Sequence, residues 1–227
     1  MKKIIIIGAG AMGSAFAVPC VDNKNDVTIV GTHLENDLIE KIKSNDQIHP
    51  ALKTKLSSEV KFEKFEKLQN ILDQDLDIIV CGVSSIGIEW FVRQISKNYK
   101  KGIPIILLTK GLSILDNELT TLSDKIRNFL SKDGHSEINI SAIKGPCLAA
   151  GLANKVRTGT VIANKDIKES QSLKEIISTN YYSTEISEDI NGVELSGAIK
   201  NIYSMLIGAS EGLSNSKAPK KTQSKFF

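Results

Sequence analysis

The sequence of 227 residues predicts an α/β fold, in which a doubly wound, mostly parallel sheet is followed by the start of an all-α second domain. Short β-branched runs alternate with longer helical stretches along most of the chain, which is typical of parallel sheets. Several of these runs are apolar at every position, as expected of strands that helices cover on both faces. One long helical pattern then begins near Asp189.

Six runs have the length and composition of strands, and four stretches have the period of helices. The expected strands cover residues 3–7, 27–30, 77–83, 104–108, 138–143 and 158–163. The expected helices cover residues 86–98, 117–130, 166–179 and 189–213, and a further helical run follows the first strand. Asp116 or Asn117 is the expected N-cap of the second of these helices. Phe62 and Phe65 fit a strand within the Lys/Glu-rich residues 53–70.

The last helical pattern is more apolar than a surface helix should be. Its main stripe consists of Leu195, Ile199, Ile202 and Leu206. Only residues 214–227 follow, a Lys/Ser-rich tail. We therefore expect two domains, residues 1–188 and 189–227. The second is expected to be the truncated start of a helical domain, or to be completed by another subunit, as in a homodimer.

Composition and charge exclude several function classes. The chain is 41% hydrophobic and 24% charged, which is ordinary for a globular protein. Its formal net charge is +3, but four lysines of the tail account for this excess. We therefore expect no nucleic-acid partner. No run reaches the roughly 18 apolar residues of a membrane helix, so we also expect no membrane span.

The cysteines and the N-terminus indicate the cellular setting. Cys20, Cys81 and Cys147 are odd in number and widely spaced, which disfavours a disulfide framework and a zinc site. We expect no metal and a cytoplasmic location. The basic start and the apolar stretch up to Cys20 resemble a signal peptide, but glycines interrupt that stretch at a regular spacing.

That spacing belongs to the segment Gly8-Ala9-Gly10-Ala11-Met12-Gly13, which follows the first strand and opens a helix. In this context it is the Rossmann-type dinucleotide fingerprint. Gly8 makes the tight turn, Gly10 lets the backbone approach a pyrophosphate, and Gly13 lets helix and strand pack closely. We expect Gly8, Gly10, Ala11, Met12 and Gly13 to bind NAD or NADP at the helix N-terminus. The alternative is a Gly-rich turn without a ligand.

The end of the second strand leaves the choice between NAD and NADP open. A carboxylate about twenty residues after the glycines would hold the ribose of NAD, but the strand ends in Val30-Gly31-Thr32-His33. Glu35 follows two residues later and is within reach. Thr32 and His33 are equally suited to face a 2′-phosphate, and we include both in the cofactor site. The alternative for His33 is an ordinary surface residue.

Two more strand ends carry polar residues at the edge where doubly wound folds bind ligands. Ser84 follows the third strand, and we assign it to the cofactor site. Lys110, in Thr109-Lys110-Gly111, follows the fourth, where it can hold a substrate carbonyl or phosphate. The alternative is a solvated lysine. Cys147 is a weak candidate nucleophile because no histidine motif accompanies it.

Lys200 and Asn201 lie within the long apolar helix. A lysine within an apolar stripe is unusual, because burial of an unpaired ammonium is costly and lowers its pKa. A lysine pKa nearer neutrality suits general acid/base chemistry. The alternative is a side chain whose ammonium extends to the surface.

Taken together, these segments make the chain resemble the NAD(P)-dependent glycerol-3-phosphate dehydrogenases of bacteria and archaea, over roughly residues 3–213. The matching blocks are Gly8-Ala9-Gly10-Ala11-Met12-Gly13-Ser14, Val83-Ser84-Ser85, Thr109-Lys110-Gly111, Lys144-Gly145-Pro146 and Asp189-Ile190-Asn191-Gly192-Val193-Glu194-Leu195-Ser196-Gly197-Ala198-Ile199-Lys200-Asn201. The last block is highly specific to this family.

The resemblance implies hydride transfer between a nicotinamide and C2 of sn-glycerol 3-phosphate or dihydroxyacetone phosphate, which supplies glycerol 3-phosphate for phospholipid synthesis. It places the family's catalytic lysine at Lys200 and a second active-site lysine at Lys110, which also contacts cofactor and substrate. It places Asn201 beside the substrate. The cofactor brings the hydride, while a lysine moves the proton and a second cation stabilises negative charge on oxygen.

The sequence departs from the family in two places. Gly151 stands where a glutamate is usual, and residues 219–227 do not follow the family pattern. We therefore expect to name no counterparts of the family's substrate-domain aspartate and arginine within residues 1–227. Two other functions stay open: a non-catalytic dinucleotide-binding fragment, and another two-domain dehydrogenase such as a ketopantoate reductase. The block that ends at Asn201 argues against the reductase.

Overall fold

A computed structural model describes residues 1–215, and one eight-stranded sheet organises them. Its strands are β1 (Lys3–Ile7), β2 (Asp26–Val30), β5 (Lys61–Glu63), β6 (Ile78–Cys81), β7 (Ile105–Leu107), β10 (Ile140–Lys144), β11 (Thr158–Ala163) and β12 (Tyr182–Ser187). The spatial order is β12-β11-β10-β7-β6-β1-β2-β5, and every neighbouring pair except β10 and β11 is parallel. Two short hairpins add β3 (Ile48–His49) with β4 (Thr54–Lys55), and β8 (Leu112–Leu115) with β9 (Glu118–Thr121).

Helices connect the strands. They are α1 (Ala11–Asp22), α2 (Asn36–Ser44), α3 (Leu68–Leu72), α4 (Ile88–Ile95), α5 (Leu122–Lys132), α6 (Ala149–Ala153), α7 (Ile167–Ile177) and α8 (Ile190–Asn215). From β5 through β10 the parallel strands have the order of a doubly wound nucleotide-binding fold, with β1 and β6 on either side of the point where the order reverses. The predicted fold class is confirmed.

The sheet is buried on both faces. Ile4 and Ile6 of β1 point into one apolar cluster, whereas Ile5 and Ile7 point into the other. Because side chains alternate along a strand, a four-isoleucine run can satisfy two cores only if helices cover both faces. The all-apolar strands of the sequence therefore predicted this layering correctly.

The helix predicted over residues 117–130 is wrong at its beginning. Asp116 and Asn117 have φ of 51° and 65°, and they form the turn of the β8–β9 hairpin. Positive φ at both central residues is typical of a two-residue hairpin turn. The helix begins at Leu122, and the Thr121 hydroxyl caps it by accepting a hydrogen bond from the Asp124 N–H at 3.2 Å. Strand β12 has no counterpart among the predicted strands.

Helix α8 begins on the sheet and then leaves it. Its first turns contact β10, and Ile190 is buried against Ala142 and Ala163. Farther along, exposure rises from 45% at Leu195 to 74% at Leu213. The predicted apolar stripe is therefore largely open among the described residues. The predicted boundary at residue 188 falls between β12 and α8, and residues 216–227 of the predicted second domain lie outside the described part of the chain.

Among residues 1–215, no helix combines the length and the apolar character that a membrane crossing requires.

Gly13 is the residue that lets α1 pack on β1, and its replacement tests this packing. A Cβ at Gly13 would lie 2.4 Å from the Gly8 carbonyl oxygen. Gly13→Ala should therefore lower the free energy of unfolding by about 2–3 kcal/mol in urea titrations. Gly208→Ala is the matched control, because this helical glycine has no atom within 4 Å of its Cβ position. The control should change stability by less than about 1 kcal/mol and in the stabilising direction, through helix propensity.

Candidate active site

The Gly-rich segment forms a backbone turn at the carboxyl end of β1. Gly8 has a φ of +111°, and a Cβ there would lie 2.7 Å from the carbonyl carbon of Gly82, which follows β6. By contrast, the nearest atom to a Cβ at Gly10 would be Glu35 Oε1 at 3.9 Å. Other protein atoms therefore occupy the space where a Cβ would lie at Gly8 and Gly13, whereas the Cβ position of Gly10 faces open space. This is the arrangement that a pyrophosphate needs when it approaches the backbone.

Helix α1 presents its N-terminus at the same place. Gly10 is its N-cap and provides no side-chain hydrogen bond, and the first turn contains no acidic residue. The first backbone N–H groups of a helix lack internal partners and attract anions. Ala11 and Met12, which begin the helix, are only partly buried. Of the predicted cofactor residues of this segment, Gly10, Ala11 and Met12 are partly accessible at this electropositive helix end, whereas Gly8 and Gly13 are buried in the turn.

The side chain of Glu35 holds this turn against the end of β2. Its Oε2 accepts hydrogen bonds from the Ala9 N–H at 3.0 Å and from the Thr32 N–H at 2.8 Å. Glu35 thus lies beside the Gly-rich turn although it is five residues beyond the end of β2. In this position its second oxygen, Oε1, faces Gly10. The carboxylate absent from the strand end is supplied by the following loop.

His49, on β3, supports the same turn from behind. Its Nε2 lies 2.9 Å from the Ala9 carbonyl oxygen, and its Nδ1 accepts from the N–H groups of Ala51 and Leu52 at 3.2 and 3.3 Å. Because Nδ1 accepts twice, Nε2 carries the proton and donates to Ala9. The sequence analysis missed His49, since only the tertiary fold brings a residue 40 positions away to Ala9.

His33 belongs to a cluster of aromatic rings. Its ring centroid is 5.3 Å from that of Trp90 and 6.1 Å from that of Phe65. The side chain of His33 is itself exposed. The cluster joins the loop after β2 to α4, so His33 has a defined setting rather than that of an isolated surface histidine.

The loops after β6 and β7 come together, as the sequence predicted for strand ends at one edge. The Thr109 hydroxyl donates to the Val83 carbonyl oxygen at 2.7 Å and ties the two loops. Gly111 has a φ of +133°, and its Cβ position lies 3.4 Å from Ser85 Cβ. Ser84 and Lys110 are both exposed on these loops. The tie through Thr109 is a feature that the sequence analysis did not identify.

Helix α8 reaches the same edge from the other side. Asp189 precedes it and accepts a hydrogen bond from the Gly192 N–H at 2.8 Å, which stabilises the first turn. Asp189 and Lys200 line a cavity of about 580 Å³ together with Lys144 and the Gly145-Pro146 turn. Lys200 is half-buried there, whereas Asn201 is exposed. The structure thus places the two predicted residues in different surroundings.

Lys110 and Lys200 are close enough to influence each other. Burial lowers the pKa of Lys110, and the positive charge of Lys200 lowers it further. A lysine pKa below its ordinary value increases the fraction of free amine near neutral pH. Ninety residues separate the two lysines in sequence, and the fold brings them to one edge. The pair can attract an anionic substrate and can exchange protons with it.

The three cysteines are buried and unpaired. Burial raises the pKa of Cys81 to about 12 and also raises the pKa of Cys147. A thiol with a raised pKa is a poor nucleophile at neutral pH. Cys147 is therefore not a catalytic candidate. Gly151, the departure noted above, lies in the short helix α6 with its Cβ position 3.9 Å from Val156.

Known proteins share both the sequence and the fold. The sequence model described as "NAD-dependent glycerol-3-phosphate dehydrogenase N-terminus" matches residues 3–170. An NADP(+)-dependent glycerol-3-phosphate dehydrogenase of Archaeoglobus fulgidus is 34% identical over 214 residues, which cover 94% of this chain and 62% of the relative. A glycerol-3-phosphate dehydrogenase [NAD(P)+] of Mesoplasma florum is 32% identical and covers 88% of this chain and 58% of the relative.

The fold of a solved structure agrees. A glycerol-3-phosphate dehydrogenase of Plasmodium falciparum superposes with a TM-score of 0.80 at 22% identity, over 98% of this chain and 62% of the other. The chain thus spans about 60% of the length of these relatives. Because the family match covers most of the sequence, the chain belongs to the NAD-dependent glycerol-3-phosphate dehydrogenase family, as its motifs predicted.

Proposed function

We propose that this chain provides the dinucleotide-binding domain and the proton-transferring lysine of an NAD(P)-dependent glycerol-3-phosphate dehydrogenase. The reaction interconverts sn-glycerol 3-phosphate and dihydroxyacetone phosphate, and it supplies glycerol 3-phosphate for phospholipid synthesis. The observation that carries the proposal is the meeting of Lys110 and Lys200 at the edge that also holds the Gly-rich turn. The relatives' names, which specify this activity with NAD or NADP, support it.

The residues present fit a dinucleotide. Gly10 leaves an open space at the N-terminus of α1 that a Cβ would narrow. Ala11 and Met12 begin this helix, whose N-terminus has no side-chain cap. In this proposal they bind the pyrophosphate, while Thr32 and His33 face the adenosine ribose and Ser84 faces the nicotinamide side. The bound cofactor supplies the hydride acceptor or donor. The protein orients it along the carboxyl ends of β1, β2 and β6.

The two lysines act on the substrate oxygen. Lys200 takes the proton from the 2-hydroxyl during oxidation and returns it to the oxygen during reduction. Lys110 places a second positive charge beside the oxygen as negative charge develops there, and it also attracts the substrate phosphate. Asn201 is assigned to the substrate side on the basis of its position next to Lys200.

The proposal extends to the cellular setting and to assembly. Three buried, unpaired thiols support a reducing cytoplasmic location. The open apolar stripe on α8 supports association with further helical structure, either in a longer chain or in a homodimer. Of the other functions weighed, the ketopantoate reductase is disfavoured by the family match. The non-catalytic dinucleotide-binding fragment is the alternative that the first experiment addresses.

Replacement of Lys200 tests the activity. Lys200→Met retains the length of the side chain but cannot transfer a proton. It should reduce NADH or NADPH oxidation by dihydroxyacetone phosphate by about 10²–10⁴-fold in kcat, the usual contribution of general acid/base catalysis. The dissociation constant of NADH, measured by its fluorescence, should stay within about twofold because Lys200 lies outside the pyrophosphate turn.

Lys165→Met is the matched control, since Lys165 is exposed beyond β11 and away from this edge. It should leave turnover and binding unchanged. A folded chain that binds NADH but shows no turnover before any substitution would establish the non-catalytic fragment instead. Turnover that survives in Lys200→Met would remove Lys200 from the mechanism.

Glu35 should determine which dinucleotide binds better. Its carboxylate joins the Gly-rich turn to the loop after β2, where Thr32 and His33 are proposed to face the adenosine ribose, so it can accept a ribose hydroxyl and would repel a 2′-phosphate. We therefore expect NAD to be preferred. Glu35→Gln keeps an acceptor oxygen but removes the charge, and should shift the NADPH-to-NADH affinity ratio toward NADPH by about tenfold, or about 1.4 kcal/mol.

Asp37→Asn is the matched control, because Asp37 is an exposed acid in the first turn of α2. It removes the same charge two residues away and should leave the ratio unchanged. Equal ratios in the wild-type chain and Glu35→Gln would show that the carboxylate does not select the cofactor. Titrations of nucleotide fluorescence give the ratio without any need for turnover.

A further inference from the structure

Lys144 is a buried lysine that the proposed reaction does not use. It is the last residue of β10 and only 4% exposed. Its Nζ donates a hydrogen bond to the Leu107 carbonyl oxygen, 2.9 Å away at the end of the neighbouring strand β7. Burial of an ammonium costs several kcal/mol unless partners offset the loss of water. The contacts of Lys144 with neighbouring elements must therefore offset the cost of its burial.

Helix α8 crosses directly over the stem of Lys144. A Cβ at Gly197 would lie 3.1 Å from Lys144 Cδ and 3.2 Å from its Cγ. These distances are shorter than ordinary carbon contacts, so only glycine lets the helix come this close without a shift. This turn of α8 therefore lies on the methylene groups of the Lys144 side chain, which we call its stem. These methylene groups determine the distance between the helix and the sheet.

An opposite charge is buried on the same helix, one turn before Gly197. Glu194 is fully buried, and its carboxylate accepts from the Ser123 N–H at 3.2 and 3.3 Å. The negative charge of Glu194 favours the charged form of Lys144. Opposite charges buried on neighbouring elements attract each other without direct contact, because the protein interior screens them less than water does. Lys144 therefore binds α8 through its charge as well as through its stem.

The face of α8 that meets Lys144 also carries Lys200. Glu194, Gly197 and Lys200 follow one another at intervals of three residues, and residues three apart on a helix are neighbours on one face. Lys144 and Lys200 line the same cavity. The height and rotation of this turn therefore also determine where the Lys200 amine stands.

We propose that Lys144 is a positioning residue for Lys200. It joins β7, β10 and α8 through one side chain, and it thereby holds Lys200 at the sheet edge next to Lys110. The proposal takes Lys200 as the proton-transferring group of the proposed function, but the contact itself can be measured without turnover. A failed activity assay and a failed positioning assay are thus separate results.

The charged and titratable groups around Lys144 are Glu194 on α8, Cys81 on β6 and Lys110 after β7. Burial lowers the pKa of Lys144 to about 8, Glu194 and Cys81 oppose the shift, and Lys110 adds to it. At pH 7 the side chain is therefore mostly protonated. Both of its links to α8, the charge and the stem, are present under assay conditions.

The test measures the pKa of Lys110 in the full chain, by the pH dependence of its reaction with an amine reagent and mass spectrometry. Lys168, exposed on α7, is the internal reference. Gly197→Ala lifts α8 off the Lys144 stem but leaves every charge in place. It should move Lys200 away from Lys110, raise the pKa of Lys110, and slow its labelling near pH 8 by about threefold.

A double-mutant cycle separates position from direct charge effects. In a Lys200→Met background, Gly197→Ala should leave the labelling of Lys110 unchanged, because no charge remains to be moved. Lys144→Met should also slow the labelling, and more strongly with Lys200 present than without it. The double variant Lys144→Met/Glu194→Gln removes both buried charges. It should restore at least part of the Lys110 labelling rate that Lys144→Met loses. Lys165→Met again serves as the control.

Two results overturn the proposal. Gly197→Ala overturns it if the labelling of Lys110 stays within error of the wild-type chain. Lys144→Met overturns it if its effect is equal in the presence and absence of Lys200, since only a direct charge effect would then exist. Should Lys144→Met fail to fold by circular dichroism, Gly197→Ala and its cycle with Lys200→Met decide the matter.

Discussion

The close packing of three glycines at the point where the strand order reverses is the constraint on which the rest of the site depends. Gly8, Gly13 and Gly82 bring the ends of β1 and β6 and the start of α1 into backbone contact. A Cβ at Gly82 would lie 3.2 Å from the Gly8 carbonyl oxygen and 3.3 Å from Gly13 Cα. Because no side chain separates them, the N-terminus of α1 is held directly above the sheet edge. Every other functional side chain is arranged around that fixed turn.

The electrostatics of the edge follow from this geometry. The N-terminus of α1 contributes a partial positive charge, and Lys110 and Lys200 contribute two full ones. The nearby carboxylates of Glu35, Asp189 and Glu194 each accept hydrogen bonds from backbone N–H groups. The open part of the edge is therefore positive. The cofactor and the substrate of the proposed function are both anions, so one field would attract both.

The sequence predicted the sheet well because its signal is local. Four consecutive isoleucines in β1 and the glycines after it describe a doubly covered strand and a phosphate turn without any tertiary information. The hairpin at Asp116 and Asn117 was predicted as helix because both residues are also good helix caps, and a positive φ is not visible in a helical hydrophobic period. Local patterns thus determine elements better than they determine the turns between them.

The site was only partly predictable for the same reason. Lys110 was found from its strand-end position and lies at the edge as expected, whereas Lys200 was found from an apolar stripe and only the fold brings it to the cavity beside Lys144. His49 and Lys144 carry no local signal, since one acts on a residue 40 positions earlier and the other through a helix 50 positions later. A residue whose role is to hold another in place can be recognised only once the fold shows what it touches.

Helix α8 joins these two kinds of residue. Asp189 stabilises its first turn, Glu194 joins it to the start of α5, and Gly197 lies against the side chain of Lys144, whereas its later turns are exposed. Lys200 stands at the transition between the two parts. Its position is thus determined by contacts within the dinucleotide-binding part of the chain, whereas any enclosure of the substrate depends on what covers the exposed turns. In the proposed function, placement of Lys200 and exclusion of water from the substrate are therefore separate structural tasks, and the contacts of the first turns of α8 serve the first.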